Sequence, residues 1–262
     1  MTDKLFEKIK EIAKLVDGEK YPAISEYLAD LTSEDELYES PLDIATALQE
    51  NDSEKDLPQF LFDFIVELYK IEIEAGNMHA MNDLGALYYK GRGCEQDYTK
   101  AVYYYNMAAE LGDGQAQENL GYCYYYGRNM PVDYEKAFHY FSLGAFTGHL
   151  ISLYKIGDMY QNGYYVKKNE KEAFGIYERC LETMTDEAAK FVAGPVYLRL
   201  ANAFLNGCGT EANAETALIC YQKAEVFLYK MVKEGDTMYR GSLNAAIEGQ
   251  AKAREILFGD LR

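Results

Sequence analysis

Residues 80–115 read AMNDLGALYYKGRGCEQDYTKAVYYYNMAAELGDGQ. Ala80, Leu84, Leu87 and Tyr88 stand at i, i+4, i+7 and i+8, which places them on one face of a helix. Gly85 interrupts that helix at a cost of about 1 kcal/mol relative to alanine. Gly91 and Gly93 then break it. Asp97 suits the N-cap of a second helix, whose apolar face is carried by Ala101, Tyr105, Ala108 and Ala109. Gly112 ends that helix as a C-terminal glycine does. The stretch therefore predicts helix, short loop, helix, short loop.

The pattern returns. Ala116, Leu120, Gly121, Tyr124 and Gly127 repeat Ala80, Leu84, Gly85, Tyr88 and Gly91 after a step of 36 residues, and Ser152, Ile156, Gly157, Tyr160 and Gly163 repeat them again. Lys100-Ala101 becomes Lys136-Ala137 and then Glu172-Ala173, and Asp133 follows Asp97 as an N-cap. A fourth copy, Val196, Leu200, Ala201, Phe204 and Gly207, then Thr216-Ala217, follows after a step of 44, with the extra residues around Met184–Phe191. The return of the mid-helix glycine predicts close approach of a partner helix at that point. The second helix of the fourth copy runs past Ala224 to Lys233, about two turns longer than in the first.

These motifs resemble the Sel1-like repeat family, relatives of the tetratricopeptide repeats. Ala80–Gln115 carries nearly the full family pattern. The second copy departs at Gly127-Arg128-Asn129-Met130-Pro131, the third lacks the Ala-Ala-Glu segment, and the fourth is the most divergent. The resemblance implies an all-α, right-handed α-solenoid of antiparallel helix pairs with helical caps. The expected organisation is one continuous domain: an acidic helical N-terminal cap over 1–43, a degenerate leading repeat over 44–79, four repeats (80–115, 116–151, 152–195, 196–236) and a C-terminal capping helix within 237–262. In the leading repeat Ile44, Leu48 and Tyr69 take the Ala80, Leu84 and Tyr105 positions, and Ala75-Gly76 the Leu111-Gly112 position. Helices are expected over Asp3–Val16, Pro22–Leu31, Pro41–Gln49, Pro58–Ala75 and Thr237–Phe258. Leu5, Ile9, Ile12 and Val16 form an apolar stripe on the first.

Composition narrows the function. The 262 residues hold 43 acidic and 26 basic side chains, a net charge of −17. A groove for nucleic acid would concentrate lysine and arginine, so neither nucleic acid nor an anionic membrane is an expected partner. Residues 1–56 hold 16 acidic and 6 basic side chains; they read as a solvated cap, or as a docking surface for a basic partner. Apolar residues make up 48% and prolines number five, which suits long helices. Cys94, Cys123, Cys180, Cys208 and Cys220 follow no disulfide spacing, and whether Cys208 and Cys220 meet is left open. No apolar leader follows Met1 and no stretch approaches a membrane span, so a cytoplasmic protein is expected. His79, His139 and His149 share no metal-ligand spacing, and no catalytic or nucleotide-binding fingerprint occurs. No enzyme, cofactor or metal is expected.

By the resemblance, first helices line a concave side where such families bind peptides. The residues expected to contact a polypeptide partner there are Asn82, Tyr89 and Lys90 in the first copy; Glu118, Tyr122, Tyr125 and Tyr126 in the second; Tyr154, Asp158, Gln161 and Asn162 in the third; and Asn202 and Asn206 in the fourth. Tyrosine supplies amphipathic contact area at low entropy cost, and amides pair with peptide backbone. Tyr88, Tyr124 and Tyr160 are expected in packing roles, and the Tyr103–Tyr105 run must expose at least one ring. Lys90, Arg128 and Lys155 read equally as scattered salt-bridge partners, which are worth little. The leading expectation is a non-enzymatic interaction scaffold or adaptor. The alternative is an acidic, immunity-type inhibitor that neutralises a basic partner through its N-terminal surface.

Overall fold

Four helix pairs are built from the same local devices. The computed structural model describes residues 2–33, 39–50, 57–91, 93–128 and 130–259. The first helices of the pairs are α5 (Met78–Lys90), α7 (Gly114–Tyr126), α9 (Leu150–Asn162) and α11 (Asp186–Asn206). The second helices are α6 (Tyr98–Glu110), α8 (Tyr134–Phe146), α10 (Glu170–Glu182) and α12 (Ala214–Lys233). Each first helix with an assigned cap ends on a left-handed glycine, Gly91, Gly163 or Gly207, and Gly127 keeps the same positive φ after α7. Each second helix starts on a side-chain cap. Asp97 accepts from the Lys100 N–H, Asp133 from Lys136, Asn169 from Glu172 and Asn213 from Thr216, at 2.9–3.1 Å. The backbone N–H of each cap residue donates in turn to the carbonyl of Tyr88, Tyr124, Tyr160 or Phe204. The loop is thus closed from both sides in every copy.

The recurring glycines answer to rings. A Cβ on Gly85 would lie 2.7 Å from the Tyr105 ring, on Gly121 2.5 Å from Phe141, and on Gly157 2.5 Å from Tyr177. No side chain fits there, which explains a glycine that local helix propensity disfavours. In the fourth pair Ala201 replaces the glycine, and Tyr221 is instead covered by Gly249 from the next helix, where a Cβ would come within 2.3 Å. Gly112, Gly148 and Gly235 end second helices with paired 6→1 and 5→2 hydrogen bonds; at Gly112 these are Asp113 N–H to Ala108 O and Gly112 N–H to Ala109 O, both 3.0 Å. Gly76 ends the helix before α5 in the same way.

The chain divides into two compact units, Met1–Ala116 and Gln117–Arg262. In the first, α1 (Thr2–Leu15), α2 (Pro22–Leu31), α3 (Pro41–Glu50) and α4 (Gln59–Glu74) precede α5 and α6. Ile9, Ile24, Leu28, Ile44, Leu48, Leu61, Phe64, Ile65, Tyr69, Ala80 and Leu84 share one core. The hydroxyl of buried Tyr69 takes a hydrogen bond from Gln49. Part of the N-terminal charge, Glu34, Asp35, Glu36, Asp52, Glu54 and Asp56, lies outside the described residues.

In the second unit the added residues of the fourth copy form helix rather than loop. α11 and α12 have 21 and 20 residues against 13 in the other first and second helices. Thr185 caps α11 by accepting from the Ala188 N–H at 3.2 Å. The added turns pack closely, with Leu228 filling the space over Gly194. After a short 3-10 turn at Thr237–Tyr239, α13 (Arg240–Phe258) lies on α12 through Ala246, Gly249 and Ala253. All five cysteines are free thiols. Among the described residues no strand occurs and no helix is long and apolar enough to cross a membrane. The architecture is an all-α solenoid.

Candidate binding face

Residues three and four apart on a helix share a face, so Lys155, Asp158 and Asn162 project from one side of α9. The matching place on α11 is held by Arg199, Asn202 and Asn206. Asp158 is the hub. Its Oδ1 accepts from Arg199 Nε at 2.5 Å and from the Tyr177 hydroxyl at 2.9 Å, and its Oδ2 from Arg199 Nη2 at 2.6 Å. The remaining Arg199 Nη1 donates to the Pro195 carbonyl at 2.9 Å, and the guanidinium lies 4.5 Å from the Tyr154 ring centroid. Burial opposes charge on Arg199, but the bidentate carboxylate outweighs it and holds the guanidinium protonated. Burial and the Asp158 carboxylate together push the Tyr177 hydroxyl upward. The Tyr122, Tyr154 and Tyr239 hydroxyls are hydrogen-bonded in sequence, and burial raises all three.

Lys155 sits against this hub inside a ring of tyrosines. Its Nζ lies 5.1 Å from the ring centroid of Tyr122, 5.3 Å from Tyr125, 5.6 Å from Tyr126 and 5.8 Å from Tyr154. Tyr122 stacks on Tyr126, and Tyr125 meets Tyr126, Tyr134 and Tyr164 edge-on. Further along the face, Glu118 accepts from both the backbone N–H and the hydroxyl of Ser152 at 3.2 Å, with His149 Nδ1 at 3.9 Å.

Hydroxyl placement follows the residue opposite. Tyr177 reaches Asp158, and Tyr221, its counterpart one repeat on, reaches Asn202 Oδ1 at 2.6 Å. Where the column holds Tyr122 instead, the second helix offers Phe141, whose ring meets Tyr122 at 5.5 Å edge-on. In these three pairs of the second unit a hydroxyl is present where the first helix offers a polar acceptor for it.

Of the sequence-predicted contact residues, Glu118, Tyr122, Tyr125, Tyr126, Tyr154 and Asp158 converge in the second unit. Tyr154 is only 2% exposed, so it and Asp158 hold the face from beneath, while Tyr126, at 49%, forms its surface. Asn162, Asn202 and Asn206 are exposed, and Gln161 is half-exposed. Asn162 and Asn206 each donate to the carbonyl four residues earlier, at 2.7 and 2.8 Å. In the first unit Asn82 is buried and donates to Asp83 at 3.2 Å, Tyr89 packs edge-on against Tyr98, and Lys90 is exposed in the last turn of α5.

Lys155 is no scattered surface ion pair, because its side chain is 9% exposed. Arg199, Tyr177 and Tyr239 were outside the sequence reading of the face. The available signal was register: Lys155 and Arg199 occupy one repeat position, Asp158 and Asn202 another, and Tyr177 and Tyr221 a third. As for the expected packing tyrosines, Tyr88, Tyr124 and Tyr160 are half-buried against core clusters. Lys100 and Lys136 lie over the Tyr88 and Tyr124 rings at 4.8 and 5.1 Å while pairing with the cap aspartates. In the Tyr103–Tyr105 run, Tyr103 is exposed and Tyr105 buried.

Comparison with known proteins gives a consistent answer. The Sel1 repeat family matches four times, at residues 79–113, 114–145, 150–179 and 195–225. Among solved structures, the chain is similar to a Sel1 repeat protein from Oxalobacter formigenes, with 22% identity, a TM-score of 0.63, and coverage of 92% of this chain and 96% of the other. It is also similar to c5321, a protective antigen present in uropathogenic Escherichia coli strains displaying an SLR fold, with 18% identity and a TM-score of 0.57. That match covers 97% of this chain and 57% of the other. No curated protein matches the sequence. Repeats of this kind commonly mediate protein–protein interaction, and the family is generally a non-catalytic scaffold. Four caps, four loop closures and the recurring glycine–ring contacts agree with the family match: the chain is a Sel1-like repeat protein.

Proposed function

We propose that the protein is a non-catalytic interaction scaffold that binds a polypeptide segment along the first-helix face of residues 117–262. The observation carrying this reading is a surface of Tyr126, Asn162, Asn202 and Asn206 held over a buried ionic hub of Asp158, Arg199 and Tyr177. Side chains locked from beneath lose little entropy on binding, so the face is preorganised. Exposed amides offer donors and acceptors to an extended backbone, and tyrosines offer flat contact area. The thiols support a binding role over a nucleophilic one, since burial pushes Cys123 and Cys180 up to about 12.

The test is co-purification from the native host with mass spectrometry. It compares the wild type with a Tyr126→Ala/Asn162→Ala/Asn206→Ala variant, chosen from exposed positions so that the hub and the Tyr221–Asn202 contact stay intact. Loss of specific partners with an unchanged circular dichroism melt is expected. An unchanged partner set would sink the assignment of this face.

A further inference from the structure

We infer that Lys155 is an anchor for a carboxylate group of the bound polypeptide; this rests on the reading of the face given above. An ammonium has three N–H donors. Lys155 Nζ has one hydroxyl at 3.4 Å, that of Tyr126, and its nearest carboxylate oxygen, Asp158 Oδ2, is 3.7 Å away. The first is long for a charge-assisted hydrogen bond and the second is beyond one. Asp158 is held in place by three hydrogen bonds from Arg199 and Tyr177, so moving it toward Lys155 would strain that hub. The four tyrosine rings stabilise the cation through their faces but accept none of its hydrogen bonds in the plane where a carboxylate would. A cation this buried, with its donors largely unanswered, is costly to keep without a further acceptor.

The ammonium gives the ligand its sign. Arg199 takes the short, bidentate contact with Asp158 and Glu118 accepts from Ser152, so among the described residues no carboxylate oxygen lies within hydrogen-bond distance of Lys155 Nζ. The ammonium lies under Tyr126, the most exposed ring of the group, and one side of α9 carries it together with exposed Asn162. A carboxylate entering beside Tyr126 would supply short acceptors to the ammonium, while the amides of the face would hold the adjoining backbone. In a chain with a net charge of −17, a buried ammonium with no carboxylate at hydrogen-bond distance selects an acidic group locally against the overall field.

Four small probes distinguish the sources of that group: N-acetyl-glycylglycine as the free acid, its amide, N-acetyl-glutamic acid α-amide and N-acetyl-glutamine amide. They are titrated into full-length protein carrying 13C-labelled lysine and tyrosine. The Lys155 Cε–H signal, shifted by the ring currents of four tyrosines, is assigned by its loss in Lys155→Met. The expected result is a saturable shift of that signal by an acid, with the matching amide at least about tenfold weaker. Preference for the first acid identifies a chain terminus, and preference for the second an acidic side chain. In Lys155→Met the acid no longer perturbs the tyrosine ring signals. If Lys155→Met does not fold, loss of the signal in Lys155→Arg supplies the assignment, and the acid–amide comparison on the wild type decides. Equal responses to acid and amide, or no response to either, overturn the inference and leave water as the ammonium's partner. Lost partners in the face variant with no acid response at Lys155 remove this inference but not the proposed function. An acid response with an unchanged partner set does the reverse.

Discussion

On α5 of the first unit, Asp83 and Ala86 occupy the repeat positions that Lys155 and Asp158 hold on α9 and that Arg199 and Asn202 hold on α11. The backbone around them is the same: Gly85 and Gly157 meet the Tyr105 and Tyr177 rings, Gly91 and Gly163 end the helices, and Asp97 and Asn169 cap the next ones. The chemistry differs. Asp83 sits half-buried beside Asn82, and burial pushes its carboxyl upward. Asp158 instead meets a guanidinium and a phenol. Glycine, alanine and cap positions define the shape of each pair, which leaves the columns on the first helix free to carry either a quiet polar patch or an ionic hub.

The largest expected effect probes that contrast. Arg199→Met leaves Asp158 buried without its partner and should cost about 3–5 kcal/mol, whereas Asp83→Asn should change stability by less than about 0.5 kcal/mol. Urea denaturation of both variants measures the difference. Replacing both members of the pair, Asp158→Leu with Arg199→Met, should recover most of the loss. If Arg199→Met cost no more than Asp83→Asn, the hub would be no more than a surface ion pair.

The hub also predicts alkaline lability. Tyr154 and Tyr177 have folded pKa values raised above the ordinary 10.0, chiefly by burial. Their protonated form is therefore favoured in the folded state. Their contribution to stability is constant below pH 10 and falls as pH rises above it, because the unfolded chain releases protons that the folded chain keeps. The loss is about 1.4 kcal/mol per pH unit for each such tyrosine. Stability curves from pH 8 to about pH 11, with phenolate absorbance as a second signal, should show these rings ionising only on unfolding.

Close approach ranks next. Gly157→Ala should cost about 1–3 kcal/mol, since its Cβ would lie 2.5 Å from the Tyr177 ring. Gly85→Ala should behave alike because it meets Tyr105 in the same way. A thermal melt in which either variant matched the wild type would break the equivalence of the two pairs. Caps follow, with Asn169→Ala and Asp97→Ala each losing about 1 kcal/mol.

The smallest effect concerns two loops at one repeat position. Gly209, at φ +77°, has no room for a side chain, because a Cβ would lie 2.1 Å from the Glu170 carbonyl oxygen. Tyr165 takes the equivalent place at φ 62°, lays its ring near Phe138 and donates to Glu135 at 3.3 Å. Tyr165→Gly relieves left-handed strain and loses those contacts, so a net change below about 1 kcal/mol is expected. Gly209→Ala should be far more damaging in the same assay.

Much of this protein was determined locally. Repeat period, helix limits, capping aspartates and terminating glycines depend on residues within a few positions of one another, and a 36-residue recurrence multiplies weak local signals into a strong one. The glycine at 85, 121 and 157 even announced a close neighbour, though not that the neighbour is an aromatic ring twenty residues on. The α3–α4 pair, with its Gly76 terminator and buried Tyr69, is a degenerate repeat by our proposal. Tertiary structure alone decided which polar residues became a hub. Asp158 and Arg199 are 41 positions apart, and Lys155 reads as an ordinary surface cation until four tyrosines close around it. The extra residues around Met184–Phe191 had no structure assigned by the repeat pattern, and most of them form added turns of α11, where a matching extension of α12 gives them a surface to bury. Such choices depend on desolvation and on partners brought from distant helices, and those energies exist only once the chain has packed.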